Sequence, residues 1–283
     1  MTVRVLVVVL IALATSTSRM PSARADEAEM HYRMALSHKK AGKLEEAERE
    51  CRIAIQQRDD HAAAYYTLGT LQRQQSRLED ALASFRKVRE LEPTNALGFA
   101  GEGSVLLRLD RIDEAVEALQ QAVALDPNDN TSLANLGNAL RKQGKPTQAI
   151  ALYRKALARD PENRELLNNL SVALRNEGMA AEAIQLLQRA LASKPDDAGL
   201  HENLAKALRS QKRYAEAIPH YEKAVAANQS SAGTYFDLGY CYEQTQQKDK
   251  AIAAYKKHVQ LAQLKGDKGA DHVIETIRKL EGK

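Results

Sequence analysis

The sequence predicts an all-α protein, a linear stack of helix pairs forming an α-solenoid. Three observations predict it. First, Leu136-Gly137, Leu140, Gly144, Ala149, Tyr153, Ala156 and Pro161 mark a pattern that returns every 34 residues. Leu68-Gly69, Ala81, Phe85 and Pro93 hold the same slots two units earlier, and Ala183, Leu187, Ala190 and Pro195 hold them one unit later. A fixed period of this length marks an architecture in which each repeat is one supersecondary unit. Second, each period carries two apolar stripes at three- and four-residue spacing, as amphipathic helices do. Third, the 283 residues include no Trp and only three Phe, although 44% are hydrophobic. A chain so poor in bulky anchors suits many thin layers packed by Ala and Leu.

Taken in order, residues 1–25 read as a secretory signal peptide. Arg4 supplies a positive start, Val5 to Ala14 is an unbroken apolar run, and Ala23-Arg24-Ala25 is an A-x-A cleavage site. Cleavage there leaves Asp26 as the first mature residue. The run is shorter than the roughly 20 residues a membrane span needs, so no integral span is expected. A mitochondrial transit peptide is the rival reading, because the leader holds Ser, Thr and Arg and no acid. The compact aliphatic block speaks against it. No Cys stands near the cleavage site to carry a lipid anchor.

From Ala28 the frame runs without insertion to Lys265 as seven units: 28–61, 62–95, 96–129, 130–163, 164–197, 198–231 and 232–265. In the fourth, Leu133, Leu136, Gly137 and Leu140 line one face of a first helix, and Ala149, Ile150, Tyr153, Ala156 and Leu157 line a second. Gly144-Lys145-Pro146 separates them, Gly suiting a left-handed helix end and Pro a first helical turn. Asp160-Pro161 closes the pair, since Pro cannot continue a helix. Gly69, Gly103, Gly137 and Gly239 fall mid-helix, where Gly costs about 1 kcal/mol against Ala. Recurrence of that cost implies close helix approach, with Ala35, Ser171 and Ala205 as small substitutes. Ala47, Ala81, Ala115, Ala149, Ala183, Ala217 and Ala251 mark where the second helix crosses the first. One turn later comes a larger residue: Cys51, Phe85, Leu119, Tyr153, Leu187, Tyr221 or Tyr255. Segment 266–283 leaves the frame. Its stripe of Val273, Ile274, Ile277 and Leu280 reads as a capping helix over the last repeat; a partner helix is the alternative. Cys51 and Cys241 lie in the first and last units, too far apart in a stack for a disulfide, and read as buried free thiols.

These slots resemble those of the tetratricopeptide repeat family: Leu-Gly, then Ala, then an aromatic four residues on, then Pro, at the same period. The resemblance covers Ala28 to Lys265. Departures are local. The family's early aromatic is Tyr65, Phe99 and Tyr235 here, but His31, Leu133, Leu167 and His201 elsewhere. Asp59, Gln229 and Gln263 stand in place of Pro in units one, six and seven. The resemblance implies a right-handed superhelix with a concave groove lined by the first helices.

No enzyme signature survives inspection, so a non-catalytic chain without cofactor is expected. The seven His are scattered without metal spacing. Gly98, Gly101 and Gly103 lack the strand and Lys-Ser/Thr of a phosphate loop. Net charge is +4, and without the three leader arginines it is +1, not the clustered basic footprint of a nucleic-acid binder. The groove columns implied by the resemblance give three candidate features. Asn135, Asn169 and Asn203 stand one repeat apart and resemble the asparagine ladder of O-linked N-acetylglucosamine transferases, whose amides hold a peptide backbone. An amide both donates and accepts; exposed asparagine by chance is the competing reading. Lys39, Lys40, Arg73, Arg108, Arg141, Lys142, Arg175 and Arg209 form a basic column. It reads as attraction for an acidic partner or as cations at helix C-termini favoured by the helix dipole. Unit three is bare inside, with Leu97, Ala100, Gly101, Ser104 and Leu107 beside Tyr66 and Thr70. Small and apolar residues beside an aromatic suit a pocket for an anchor side chain; drift in a surface column is the competing reading. Asn138 and Asn169 match the two asparagines of the carboxylate clamp in chaperone-binding relatives. Ala134, Gly199 and Asn203 replace its cations, so a chaperone-tail receptor is not expected.

The function expected is a protein-interaction scaffold that holds an extended segment of a partner in the groove, an acidic one on the attraction reading of the basic column, in the periplasm or outside the cell. An accessory subunit tethering a catalytic partner in envelope assembly, secretion or polymer export is the alternative, and a self-assembling array a third. N-terminal sequencing of the exported chain is expected to begin at Asp26; retention of Met1 in the cytoplasm would overturn the leader assignment.

Overall fold

The computed structural model describes residues 23–227, 231–264 and 270–282; the expected leader up to residue 22 lies outside them. Among the described residues are fifteen α-helices and no strand. In order they are α1 (Ala23–Lys40), α2 (Leu44–Gln57), α3 (Ala62–Gln74), α4 (Leu78–Leu91), α5 (Ala96–Arg108), α6 (Ile112–Leu125), α7 (Asn130–Lys142) and α8 (Pro146–Leu157). There follow α9 (Arg164–Asn176), α10 (Ala180–Ser193), α11 (Ala198–Ser210), α12 (Tyr214–Ala226), α13 (Ala232–Gln244), α14 (Lys248–Leu264) and α15 (Asp271–Glu281).

Helices α3, α5, α7, α9, α11 and α13 begin on the first residue of their 34-residue units. The first unit departs: α1 starts at Ala23, ahead of Ala28. Asn95, Asp129, Asn163 and Asp197 cap α5, α7, α9 and α11, each side chain accepting from a backbone N–H two or three residues on. Such a cap is worth about 1 kcal/mol.

The turn inside every unit has one construction. Gly42, Ser76, Asp110, Gly144, Gly178, Lys212 and Gln246 stand at the same slot, and all have positive φ. The next residue's N–H donates back to the carbonyl five residues before it, as Lys145 does to Leu140 at 2.8 Å and Arg213 to Leu208 at 3.0 Å. This is the helix-ending motif that glycine favours. Four of the seven turns adopt it with a side chain present, a cost that Gly144 in the sequence does not advertise for its neighbours.

Packing follows the small-to-large pattern. A Cβ added to Gly137 would lie 2.3 Å from Tyr153, and one added to Gly103 2.4 Å from Leu119. Gly239 stands in the same relation to Tyr255 at 2.7 Å. The mid-helix glycines therefore receive the large residue of the second helix, which is why their helical cost is tolerated. Each helix packs on the next, and from α3 onward each first helix also packs on the next first helix. The second helices do not stack on one another in this way. First helices thus form the inner layer and second helices the outer.

The ends differ. Val273 and Ile277 of α15 are buried in the core continuous with α14, and Lys256 pairs with Glu281 at 2.7 Å. At the other end α1 leaves Met30 and Met34 exposed. Where Pro is missing in unit seven, α14 runs on through Gln263 to Leu264.

Two substitutions are expected to move stability in opposite directions in chemical unfolding. Gly137→Ala should destabilise by about 1–3 kcal/mol through overpacking against Tyr153. Lys212→Gly should stabilise by about 1 kcal/mol by relieving the left-handed residue.

Candidate functional site

The inner layer carries the candidate residues. Asn135, Asn138, Asn169 and Asn203 are all half-buried on first helices. They do not form one free ladder. Asn203 donates through Nδ2 to Asn168 Oδ1 at 2.8 Å, so a neighbouring unit already satisfies it. Asn168 was missed in the sequence because it sits one residue before the ladder slot. Asn138 accepts from Arg141 at 3.0 Å. Among the described residues Asn135 and Asn169 make no side-chain hydrogen bond.

The basic column is largely a set of ties between repeats, a role given by neither sequence reading. Lys39 donates to Thr70 of the next unit at 2.9 Å, and Arg73 to Ser104 at 2.7 Å. Arg108 reaches back to the Arg73 carbonyl at 2.7 Å and to Ser76 Oγ at 3.2 Å. Lys142 pairs with Asp110 of the preceding unit at 2.8 Å, and Arg209 with Asp237 of the next at 3.3 Å. Among the described residues Arg175 has no such tie. The cations do lie in the last turns of their helices, so the dipole contributes as well.

Two recesses meet on the inner face of units two to four. The larger, about 680 Å³, is lined by Tyr66, Arg73, Phe85, Leu97, Ala100, Gly101, Ser104, Leu125 and Asn135 among others. The second, about 500 Å³, is lined by Arg73, Ser104, Leu107, Arg108, Asn135, Asn138 and Lys142. Tyr66, Arg73 and Asn135 therefore converge in one site, with Asn138 and Lys142 beside them. Arg141, Asn169, Arg175, Asn203 and Arg209 lie outside both. The cause is Gly101. It holds the slot that Asn135, Asn169 and Asn203 hold in later units. Phe85 rises into the space this leaves: a Cβ on Gly101 would stand 2.3 Å from its ring. The recess thus has an aromatic floor, with Tyr66 edge-on to Phe85 at a 5.7 Å centroid distance.

The outer face of the same unit carries another departure. Glu102 stands where five of the six other units place Leu68, Leu136, Leu170, Leu204 and Leu238, and the first places Met34. Its carboxylate is 3% exposed and accepts from Arg86 Nε at 2.9 Å and Arg89 Nη1 at 2.8 Å. Arg89 in turn replaces an aliphatic slot held by Val123 and Leu157. A buried carboxylate has thus taken the place of a repeated leucine, and two half-exposed guanidinium groups satisfy it, as burial of a charge requires.

His201 is a buried core residue, as its slot suggests, but it is not alone. A carbonyl only accepts, so His201 Nε2 donates to Pro195 at 2.8 Å and its Nδ1 faces His220 Nδ1 at 2.9 Å. The sequence hid this pair because it joins two helices. Among the described residues no group of three metal-binding side chains is present. Cys51 and Cys241 are buried free thiols whose pKa values burial pushes up to about 12.

Two family models described as tetratricopeptide repeat match the chain, one over residues 32–96 and 134–198, the other over 100–162 and 196–263. The chain belongs to the tetratricopeptide repeat family. No protein with a curated description matches it. Among solved structures, a tetratricopeptide repeat protein from Parabacteroides merdae is similar at TM-score 0.69 and 19% identity, over 91% of this chain and 100% of that one. MamA from Desulfovibrio magneticus is similar at TM-score 0.57 and 21% identity, over 62% of this chain and 99% of that one. YrrB, described as having an unusual peptide-binding site, is similar at TM-score 0.51 and 23% identity, over 62% of this chain and 91% of that one. At these identities the likeness is one of fold. No helix among the described residues is long and apolar enough to cross a membrane.

The histidine pair predicts an acid-side instability. Burial first, then the neighbouring His201, lowers the His220 pKa below 6.5. The unfolded chain therefore binds more protons just below pH 6.5, and stability falls as pH drops through that window. Thermal unfolding should show a Tm that is level above pH 6.5 and declines below it, with a shallower decline in His220→Gln.

Proposed function

We propose that this chain is a non-catalytic interaction scaffold that holds an extended segment of a partner protein against the inner face of its first helices. The observation that carries this reading is the joined recess of units two to four. It is concave, half apolar and half cationic, and offers the free amide of Asn135 for a peptide backbone. The tetratricopeptide repeat family consists in general of interaction modules, and the peptide-binding site ascribed to YrrB supports the same use of the fold. The cations on the inner face suit an acidic segment. The leader pattern supports a setting in the periplasm or outside the cell.

Photo-crosslinking in cells tests the reading. A photoreactive residue at Leu97 on the inner face should capture a discrete partner, and one at Gln121 on the outer face should not. Capture from Gln121 alone would move the interaction to the outer layer and overturn the groove.

A further inference from the structure

We infer that the bound segment is recognised through an apolar residue and an acidic residue close together in its sequence, by a two-lobed site across α3, α5 and α7. This rests on the groove reading above and names what the groove selects.

The apolar lobe is built to take a side chain. Leu97 and Leu125 are 49% and 40% exposed, two of the seven large hydrophobics left open among the described residues, and both stand at this one recess. Behind them lie the Phe85 floor and the Tyr66 edge, and Ala100, Gly101 and Ser104 keep the walls low. An apolar side chain entering there removes both its own surface and these leucines from water, the main favourable term in association. The two carboxylates at this end are already committed. Asp129 accepts from the backbone of Thr131 and Ser132, and Asp126 from that of Asn128.

The cationic lobe is built to take an anion. Arg73, Arg108 and Lys142 line it, and no carboxylate does. Lys142 is paired with Asp110. The guanidinium groups of Arg73 and Arg108 bond only neutral oxygens, those of Ser104, Ser76 and the Arg73 carbonyl. Among the described residues neither has a carboxylate partner. Uncompensated guanidinium groups gathered in a recess favour a carboxylate, which they bind in charge-assisted bonds. The lobes share Arg73, Ser104 and Asn135, so one short segment spans both. In an extended segment, alternate residues face the same way about 6.5 Å apart. The expected motif therefore places its acid two residues from its apolar anchor. Asn135 lies at the junction, where it meets the intervening peptide unit.

Selection of short randomised peptides on the full-length chain tests this. Two libraries are used, one with free C-termini and one with blocked C-termini, to separate a terminal carboxylate from a side-chain one. Enriched peptides should pair a large apolar residue with a carboxylate two positions away, and their binding should weaken with salt. Leu97→Ser should weaken selected peptides by about tenfold and abolish the preference for the apolar residue. Arg108→Gln should do the same for the carboxylate. Both side chains are exposed, and unchanged helicity and Tm would show that the fold is intact. A consensus lacking either element, or binding unchanged in both variants, would overturn the two-lobed site. If such peptides were instead lost on Asn169→Ala, the groove reading would survive and only this inference would fall. If neither library yielded a binder, both would fall.

Discussion

The contact on which the structure depends is the seating of one large side chain on one small one inside each helix pair. Tyr153 on Gly137 and Leu119 on Gly103 are the clearest cases. The small residue brings the helix axes together, and the crossing alanine, such as Ala149, keeps them there. That contact sets the pair geometry, and the left-handed turn residue fixes its connection. The rest of the array is repetition of a unit that buries its faces only against its neighbours.

Function departs from this rule at unit three. Helix α5 differs from its counterparts on both faces. Inside, Gly101 replaces the asparagine of later units and lets Phe85 reach the groove floor. Outside, Glu102 replaces the repeated leucine and draws Arg86 and Arg89 onto itself. The mid-helix glycine, Gly103, keeps its ordinary structural role between the two. A recess on the inner face follows from small side chains, not from a change of backbone. The repeat supplies the surface, and a few exchanges within one helix give it character.

The polar side chains of the inner face divide in the same way. Most cations of the basic column tie one unit to the next and belong to the scaffold. Arg73 and Arg108 do so through neutral oxygens and keep their charge uncompensated, so they remain available to a ligand. Asn203 is spent on Asn168, whereas Asn135 is free at the edge of the recess. The outward resemblance of residues in a column therefore conceals different states. The candidate site moves from the asparagines of units four to six toward α3, α5 and α7.

The sequence by itself determined the fold class, the residues at which the first helices from α3 onward begin and the slots of the core, because each repeat's packing is local and its period is written in residue types. It also named Tyr66, Arg73 and Asn135, and the bare inner face of unit three. It did not show that Phe85 floors that recess, since its ring, carried on a second helix, enters through the space that Gly101 leaves on the facing helix. Nor did it show the His201–His220 pair, the Asn203–Asn168 bond or the ties made by Arg73 and Lys142. Each joins residues from different helices or a helix and a turn, and which partner satisfies a polar group is decided by where the helices lie once packed. The tertiary structure alone separates polar groups satisfied by the scaffold from those left for a partner, because a residue type recurring at a slot gives its period but not which atoms it meets once the units pack.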